Sequence, residues 1–367
     1  MRLRSLSISA LASFSLATSL LVIAISPVSG EVLSADTKLK LATTISGDIA
    51  PKSVRASSNG LVSAHNMMYR HSVTVYDGRE LSLVKTIPDR VDLKALGFKG
   101  FSGTHRGAPV EGAFSPKNDY LYVTNYAMYG KGFNREGTDI CKPADNYDRS
   151  FLYRISTSTW EVDAAYRVGV VPKVVDVSPD NKFILVSNWC SYDLTVISTE
   201  TQKVVKTIPI GAYPRGITIS DDSRFAYVAQ MGGAVVHKIT LGTWEKELLN
   251  VGPNPRALVL SPDNQTLYVT LNASGRVVAF DLSEKKVVKT VKTGNASRSL
   301  DISSDGSALF VVNYTSDTIS KVRTSDFKVL QKIKACNEPI GITYESLNSR
   351  VWVACYGGSI KVFDDRP

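Results

Sequence analysis

Five basic residues recur one place after the start of a repeated segment: Lys52, Lys173, Arg215, Arg256 and Arg298, with Val110 and Ile340 at the two remaining places. Like charges gathered at one opening focus potential and draw anionic ligands. A second series follows the end of another segment of the same repeat and consists of flat or polarisable side chains: Tyr126, Trp189, Met231, Tyr314 and Tyr356. Rings beside cations make a platform on which bases stack while phosphates meet Lys and Arg, and sugars or aromatic metabolites suit the same surface. The predicted ligand-binding set is therefore Lys52, Lys173, Arg215, Arg256 and Arg298 for charge, with Tyr126, Trp189, Tyr314 and Tyr356 for stacking. The residues just before the rings, Asn66, Asn125, Asn188, Gln230 and Asn313, read as caps on turn backbone rather than as ligand contacts.

Catalytic chemistry has little to build on. The chain holds 4 His, of which His65 and His105 are expected to approach the same opening together with Glu111, while His237 lies in a strand away from it. No ring of carboxylates or imidazoles with metal-ligand spacing is visible, and no GxSxG, HExxH or P-loop pattern occurs. Neither a metal nor another cofactor is expected. The reading leans away from an enzyme, with hydrolysis in the channel as the alternative.

These residues need a scaffold that returns the same position to the same place, and the chain contains one. The repeat starts at Pro51, Pro109, Pro172, Pro214, Pro255, Ser297 and Pro339, and the last five starts lie 42, 41, 42 and 42 residues apart. Each unit holds four short alternating apolar runs, broken by Gly, Asp, Asn and Ser. For the unit at Pro214 the runs are Arg215–Ser220, Phe225–Gln230, Ala234–Thr240 and Trp244–Leu249. A period of about 40 to 45 residues with four strands predicts an all-β, seven-bladed β-propeller with four-stranded antiparallel blades. The seventh unit lacks an outer strand, and Lys38–Ile45 resembles the outer strands Lys203–Ile208 and Lys286–Val291. The N-terminal strand is thus expected to join the last blade and close the ring. The Asp residues of the Ser-x-Asp turns read as turn formers, not calcium ligands.

Two insertions, 88–108 and 127–149, lengthen loops on one face, the face where the basic series begins its strands, and they offer a surface for a protein partner. The cysteines fall there too. Cys141 and Cys190 occupy equivalent loops of adjacent units, and Cys336 and Cys355 flank the first two strands of the last one. The pairs Cys141–Cys190 and Cys336–Cys355 are predicted, each closing a loop worth about 2–4 kcal/mol. Disulfides imply an oxidising compartment, and the first thirty residues agree. Arg2 and Arg4 precede an apolar block and a small-residue exit at Val28-Ser29-Gly30, which reads as a signal peptide over 1–30, with the propeller over 31–367. The net charge of +9 becomes +7 without that segment, since it carries two Arg and no acid.

Leu121-Tyr122-Val123-Thr124-Asn125, Leu267-Tyr268-Val269-Thr270 and Leu309-Phe310-Val311-Val312-Asn313 resemble the signature of the YVTN-repeat β-propellers, and the whole mature chain is similar to their exported, YncE-like kind. The resemblance implies a periplasmic, cell-surface or secreted protein. It makes single-stranded DNA or an envelope polymer the named anionic ligands, a protein–protein scaffold the first alternative and a lactonase-like hydrolase the second. A monomer is expected.

Overall fold

The structure, a computed structural model, describes residues 33–366. The signal peptide expected over 1–30 lies outside the described residues. Seven four-stranded antiparallel sheets follow one another along the chain. Blade 3, for example, runs Pro172–Val177, Phe183–Asn188, Asp193–Ser198 and Lys203–Pro209. Blade 7 takes Pro339–Glu345, Arg350–Cys355 and Ser359–Asp364 in sequence, and its fourth strand is Lys40–Ser46 from the other end of the chain. The register pairs Ile45 with Ile360 and Ser46 with Ser359. The expected closure is therefore present, two residues downstream of the predicted start. In blade 4 the outer strand begins at Lys246 rather than Trp244. Trp244 sits in the preceding turn at φ 67° and packs edge-on against Phe183 of the neighbouring blade.

Successive blades bury apolar strand faces against each other, as with Leu185, Val196 and Ile208 of blade 3 against Ile217, Ala226 and Val228 of blade 4. Fully burying each such aliphatic side chain contributes about 1.5–3 kcal/mol. The two insertions pack together rather than separately: Phe98 and Phe101 meet Phe133 and Phe151, with Phe101 and Phe133 stacked at 5.0 Å.

The chain ends are clasped. Lys321, on the third strand of blade 6, donates its ammonium protons to the Ser34 carbonyl (2.5 Å), the Thr37 hydroxyl (2.8 Å) and carboxylate Oδ1 of Asp365 (2.5 Å). Lys321 and Asp365 have no side-chain exposure. Ser34 and Thr37 donate their hydroxyls to the same Asp365 carboxylate. One buried ion pair thus binds the segment before the closing strand, the end of blade 7 and blade 6 to one another.

The Asn series serves the blades. Asn188 accepts from the Gly169 amide (3.0 Å) and donates to Asp193 (2.6 Å) and Thr195 (2.9 Å); Asn66 likewise accepts from the Ala50 amide and donates to Thr74, while Asn313 accepts from the Ser297 hydroxyl and donates to Thr318 and Ser320. A glycine three places before the repeat start makes room for this strut in blades 3, 4 and 6. A Cβ on Gly169 would lie 2.5 Å from Asn188 Cγ, one on Gly294 2.5 Å from Asn313 Cγ, and one on Gly211 2.6 Å from Gln230 Nε2. Gly169→Ala is accordingly expected to destabilise by about 1–3 kcal/mol through overpacking. A urea midpoint equal to that of the parent protein would refute this account of the glycine.

The Ser-x-Asp turns of the opposite face are closed by their own side chains. Ser178, Ser220, Ser261 and Ser303 donate hydroxyls to Asp180, Asp222, Asp263 and Asp305 at 2.5–2.7 Å. These carboxylates also accept the amide of the residue two places on. Among the described residues no cluster of His, Cys, Asp or Glu has the geometry to hold a metal ion.

Candidate anion site at the channel mouth

Four of the five basic residues, Lys173, Arg215, Arg256 and Arg298, reach the central channel from bulged strands. The inner strands of blades 3 to 7 pair normally at the repeat start and then skip: between Pro172 and Val174, Pro214 and Ile217, Pro255 and Leu258, Ser297 and Ser299, and Pro339 and Gly341. Lys173, Arg215, Arg256, Arg298 and Ile340 fall in the skipped places. A bulge breaks the alternation and re-aims a side chain. The residue before each start, Val171, Tyr213, Asn254, Ala296 or Glu338, has φ between 52° and 59°. Its carbonyl accepts the amide of the residue that follows the second strand: Trp189, Met231, Asn272, Tyr314 or Tyr356. In blades 3, 4 and 6 the same backbone device sets a cation beside a ring or thioether: Lys173 with Trp189, Arg215 with Met231 and Arg298 with Tyr314.

All five cations line one cavity of about 170 Å³, together with Asp139, Trp189, Met231 and Asn272. Lys173 is held most firmly. Its ammonium lies 2.8 Å from Asp139 Oδ1, 4.2 Å from the centre of the Tyr126 ring and 5.3 Å from that of Trp189. The Arg298 guanidinium stacks 3.5 Å over Tyr314, and Lys52 stands 5.2 Å from the Tyr356 ring. Arg256 donates to the Arg298 carbonyl (3.2 Å) and to Met231 Sδ (3.5 Å). Among the described residues Lys52, Arg215, Arg256 and Arg298 have no carboxylate in ion-pair range; Asp139 is the one partner, and it pairs with Lys173. Arg215 Nη1 and Arg298 Nε are buried without a hydrogen-bond acceptor.

Charge crowding appears in the titration of these groups. Burial and then the charges of Lys173, Arg215, Arg256 and Arg298 push the Lys52 ammonium well below its ordinary range. Burial brings Lys173 down to about 7; Asp139 opposes this, and Arg215 and Arg256 reinforce it. Although burial opposes it, Lys173 leads the neighbouring cations in holding the Asp139 carboxyl at about 2. Burial, followed by Arg215 and Arg298, drives Arg256 well down as well. A guanidinium does not deprotonate in a protein, so for Arg256 this direction measures the cost of holding the charge there.

A second layer lies deeper, in a cavity of about 300 Å³. Arg55, Asp176 and Asp301 occupy the fourth place after the repeat start, and Glu111 the second. Arg55 pairs with Asp176 at 3.3 Å, and Asp301 accepts amides from Ile302 (2.9 Å) and Tyr344 (2.8 Å). Burial raises the carboxyls of Glu111, Asp176 and Asp301.

Of the rings, Tyr126, Tyr314 and Tyr356 are half-buried around the mouth. Trp189 lies deeper, at 8% exposure, stacked on Tyr213 with centroids 4.4 Å apart and its indole N–H donated to the Asp139 carbonyl at 3.0 Å. It touches the cavity while fixing the insertion. Both disulfides are formed, Cys141–Cys190 with Cα atoms 5.4 Å apart and Cys336–Cys355 with 6.0 Å. The first anchors the 127–149 loop beside Asp139.

The histidines stand elsewhere. His65 is fully buried between blades, with Nδ1 2.7 Å from Ser53 Oγ, and burial lowers its pKa to about 3. His105 lies among Phe101 and Phe133 and bonds the Lys131 carbonyl. The expected approach of His65 and His105 to the opening is corrected accordingly; Glu111 alone of the three lines the channel.

Two family profiles match parts of the chain: a YNCE-like beta-propeller over residues 144–224, and a Cytochrome D1 heme domain over residues 255–361. The YNCE-like match and the seven-bladed ring together support a YncE-like propeller family. No curated protein matches the chain. The solved structure of Kuenenia stuttgartiensis hydrazine synthase is similar in fold, with a TM-score of 0.66 and 15% identity over 88% of this chain and 97% of that one. A His-ligated haem does not fit the residues present. Residues 255–361 contain neither His nor Met, their two cysteines are bonded together, and no imidazole lines either central cavity. Of the axial ligands that hold haem iron, His, Met, Cys thiolate or Tyr, the two central cavities offer only Met231 and Tyr344, set among cations and carboxylates.

Proposed function

We propose that this chain is an exported binding protein that captures an anionic or aromatic ligand at the basic, ring-lined channel mouth, with single-stranded DNA and envelope polymers as the ligands to test first. The observation that carries the reading is the convergence of Lys52, Lys173, Arg215, Arg256 and Arg298 on one cavity that holds a single carboxylate. Five cations do not gather in one concavity for stability, since each pays for desolvation and for its neighbours' repulsion. Tyr126, Tyr314 and Tyr356 add the faces that stack on a base or a sugar. The two disulfides and the YNCE-like match are consistent with export.

A salt titration with labelled single-stranded DNA tests the reading. Four or five phosphate contacts imply that log K falls with log salt at a slope of about −3, since single strands release about 0.7 counterion per contact. Affinity indifferent to ionic strength, or no binding by this or any other polyanion, would remove the proposal.

A further inference from the structure

We infer that Asp139 is a resident counter-ion for the mouth, and that the ligand group it stands in for is a compact multivalent oxyanion, seated end-on among Lys52, Arg215, Arg256 and Arg298. The inference rests on the anion-binding reading above and narrows it, from polyanions in general to phosphate-type or polycarboxylate groups, free or at the end of a longer molecule.

Three observations lead there. The first is size. The mouth cavity of about 170 Å³ and the deeper one of about 300 Å³ share Lys52, Arg215, Arg256 and Arg298 as lining residues, and even together the space is that of a small-ligand site. A phosphoryl or citrate-sized group enters it; a run of nucleotides does not. The second is unused bonding capacity. Arg215 is only 8% exposed, yet its Nη1 has no acceptor, and the Arg298 Nε is likewise unpartnered. Buried donors without acceptors are costly, and both side chains line the cavity. An oxyanion with several acceptor oxygens satisfies them together.

The third observation is the stop beneath the site. Three residues further along the inner strands, about 10 Å at the rise of an extended chain, Asp176 and Asp301 line the channel beside Arg55, which pairs with Asp176; with Glu111 between the two levels, three carboxylates stand there against one guanidinium. An anion that reaches the cations is repelled from going deeper, so the channel seats a terminus and does not thread a polymer. Asp139 reads naturally against this floor and ring. Its backbone is pinned by Trp189 and by the neighbouring disulfide, while its carboxylate is 75% exposed and Lys173 beneath it only 7%. One monovalent carboxylate therefore covers one of five cations from the solvent side, and a rotation of its side chain uncovers that cation. A ligand with two or more charges outcompetes it; a monoanion gains little.

The test compares four probes on the full-length mature protein by calorimetry and competition. These are pyrophosphate, acetate, and one short single-stranded oligonucleotide with either a 5′-phosphate or a 5′-hydroxyl. Pyrophosphate is expected to bind and to displace the oligonucleotides, acetate to fail, and the phosphorylated oligonucleotide to bind about tenfold tighter than its hydroxyl form. Asp139→Asn is expected to tighten pyrophosphate binding by about tenfold, with the fold checked by circular dichroism because the change also leaves the buried Lys173 ammonium without its carboxylate. Binding of both oligonucleotides with equal affinity, untouched by pyrophosphate, would overturn this inference and leave the general anion reading standing. No binding by any probe would overturn both. Unchanged or weakened pyrophosphate binding in Asp139→Asn, with the fold intact, would remove Asp139 from the role. If terminal phosphate binds and free pyrophosphate does not, the oxyanion is recognised only as part of a larger molecule, which supports the end-on geometry and identifies its source.

Discussion

Lys321→Met is expected to cost this protein about 3–5 kcal/mol, the loss that follows when one member of a buried ion pair is removed. Lys321 and Asp365 are both without side-chain exposure. Taking away the ammonium leaves the Asp365 charge facing only the Ser34 and Thr37 hydroxyls, and it removes a donor from the Ser34 and Thr37 carbonyls as well. The damage is not confined to one side chain, because these bonds hold the residues that lead into Lys40–Ser46, the strand that closes the ring. A ring opened at that seam exposes the edge of Ser359–Asp364, and an unpaired edge is an aggregation site. Chemical denaturation checks the size of the loss, and light scattering at the unfolding onset checks the edge. The double variant Lys321→Met/Asp365→Leu separates the two sources of cost. Removing both charges together leaves no buried ion uncompensated, so most of the stability returns if the pair acts through charge. If the double variant is as weak as the single one, the clasp works through its hydroxyl and carbonyl geometry instead.

The ring, its seven sectors and its closure were legible because they depend on period, which survives any amount of variation at single positions. Ser-x-Asp turns, alternating runs and the orphan strand Lys38–Ile45 all report backbone pairing, and pairing is what strand patterns encode. The basic series was legible for the same reason: one place after the repeat start is the same place in space in every blade. Three matters were not. The bulges that point Lys173, Arg215, Arg256 and Arg298 inward leave no mark in an apolar–polar alternation, although the glycines before Pro172, Pro214 and Pro255 are a hint that the backbone there is unusual. Asp139 has no counterpart in the repeat, so no superposition of units places it at the mouth; only the adjacent Cys141 signalled that its loop is tied to blade 3. The deeper charges did carry a signal that went unread. Arg55, Asp176 and Asp301 share the fourth place after the start, and lining up that column would have shown a channel with cations at one level and carboxylates at the next. His65 illustrates the opposite error, in which a place near the end of a second strand suggests the opening although the side chain turns into the blade interface.

Arg256→Met is expected to raise stability and weaken anion binding at once, and the opposed signs are what separate a ligand site from a structural ring. Arg256 is buried, pairs with no acid, and stands among Arg215 and Arg298, whose charges together with burial disfavour its own. Its replacement by an apolar side chain of similar length keeps the packing against Met231 and removes a desolvation cost and two repulsions, so the urea midpoint moves up. The same change deletes a charged donor from the cavity, where hydrogen bonds to ionised groups contribute about 1.5–3 kcal/mol, or roughly a 10- to 100-fold loss in affinity for pyrophosphate. Acidity supplies an independent check on the same balance. Lys173 titrates at about 7 in the fold against 10.5 ordinarily, so between those values the unfolded chain binds more protons and stability rises with pH. As pH rises through about 7 the mouth loses the Lys173 charge, and anion affinity falls. Stability and affinity thus move in opposite directions both with the substitution and with pH. A ring kept for blade packing gives the reverse pattern, with Arg256→Met less stable and binding unaltered, and that pair of results would dispose of the mouth as a ligand site.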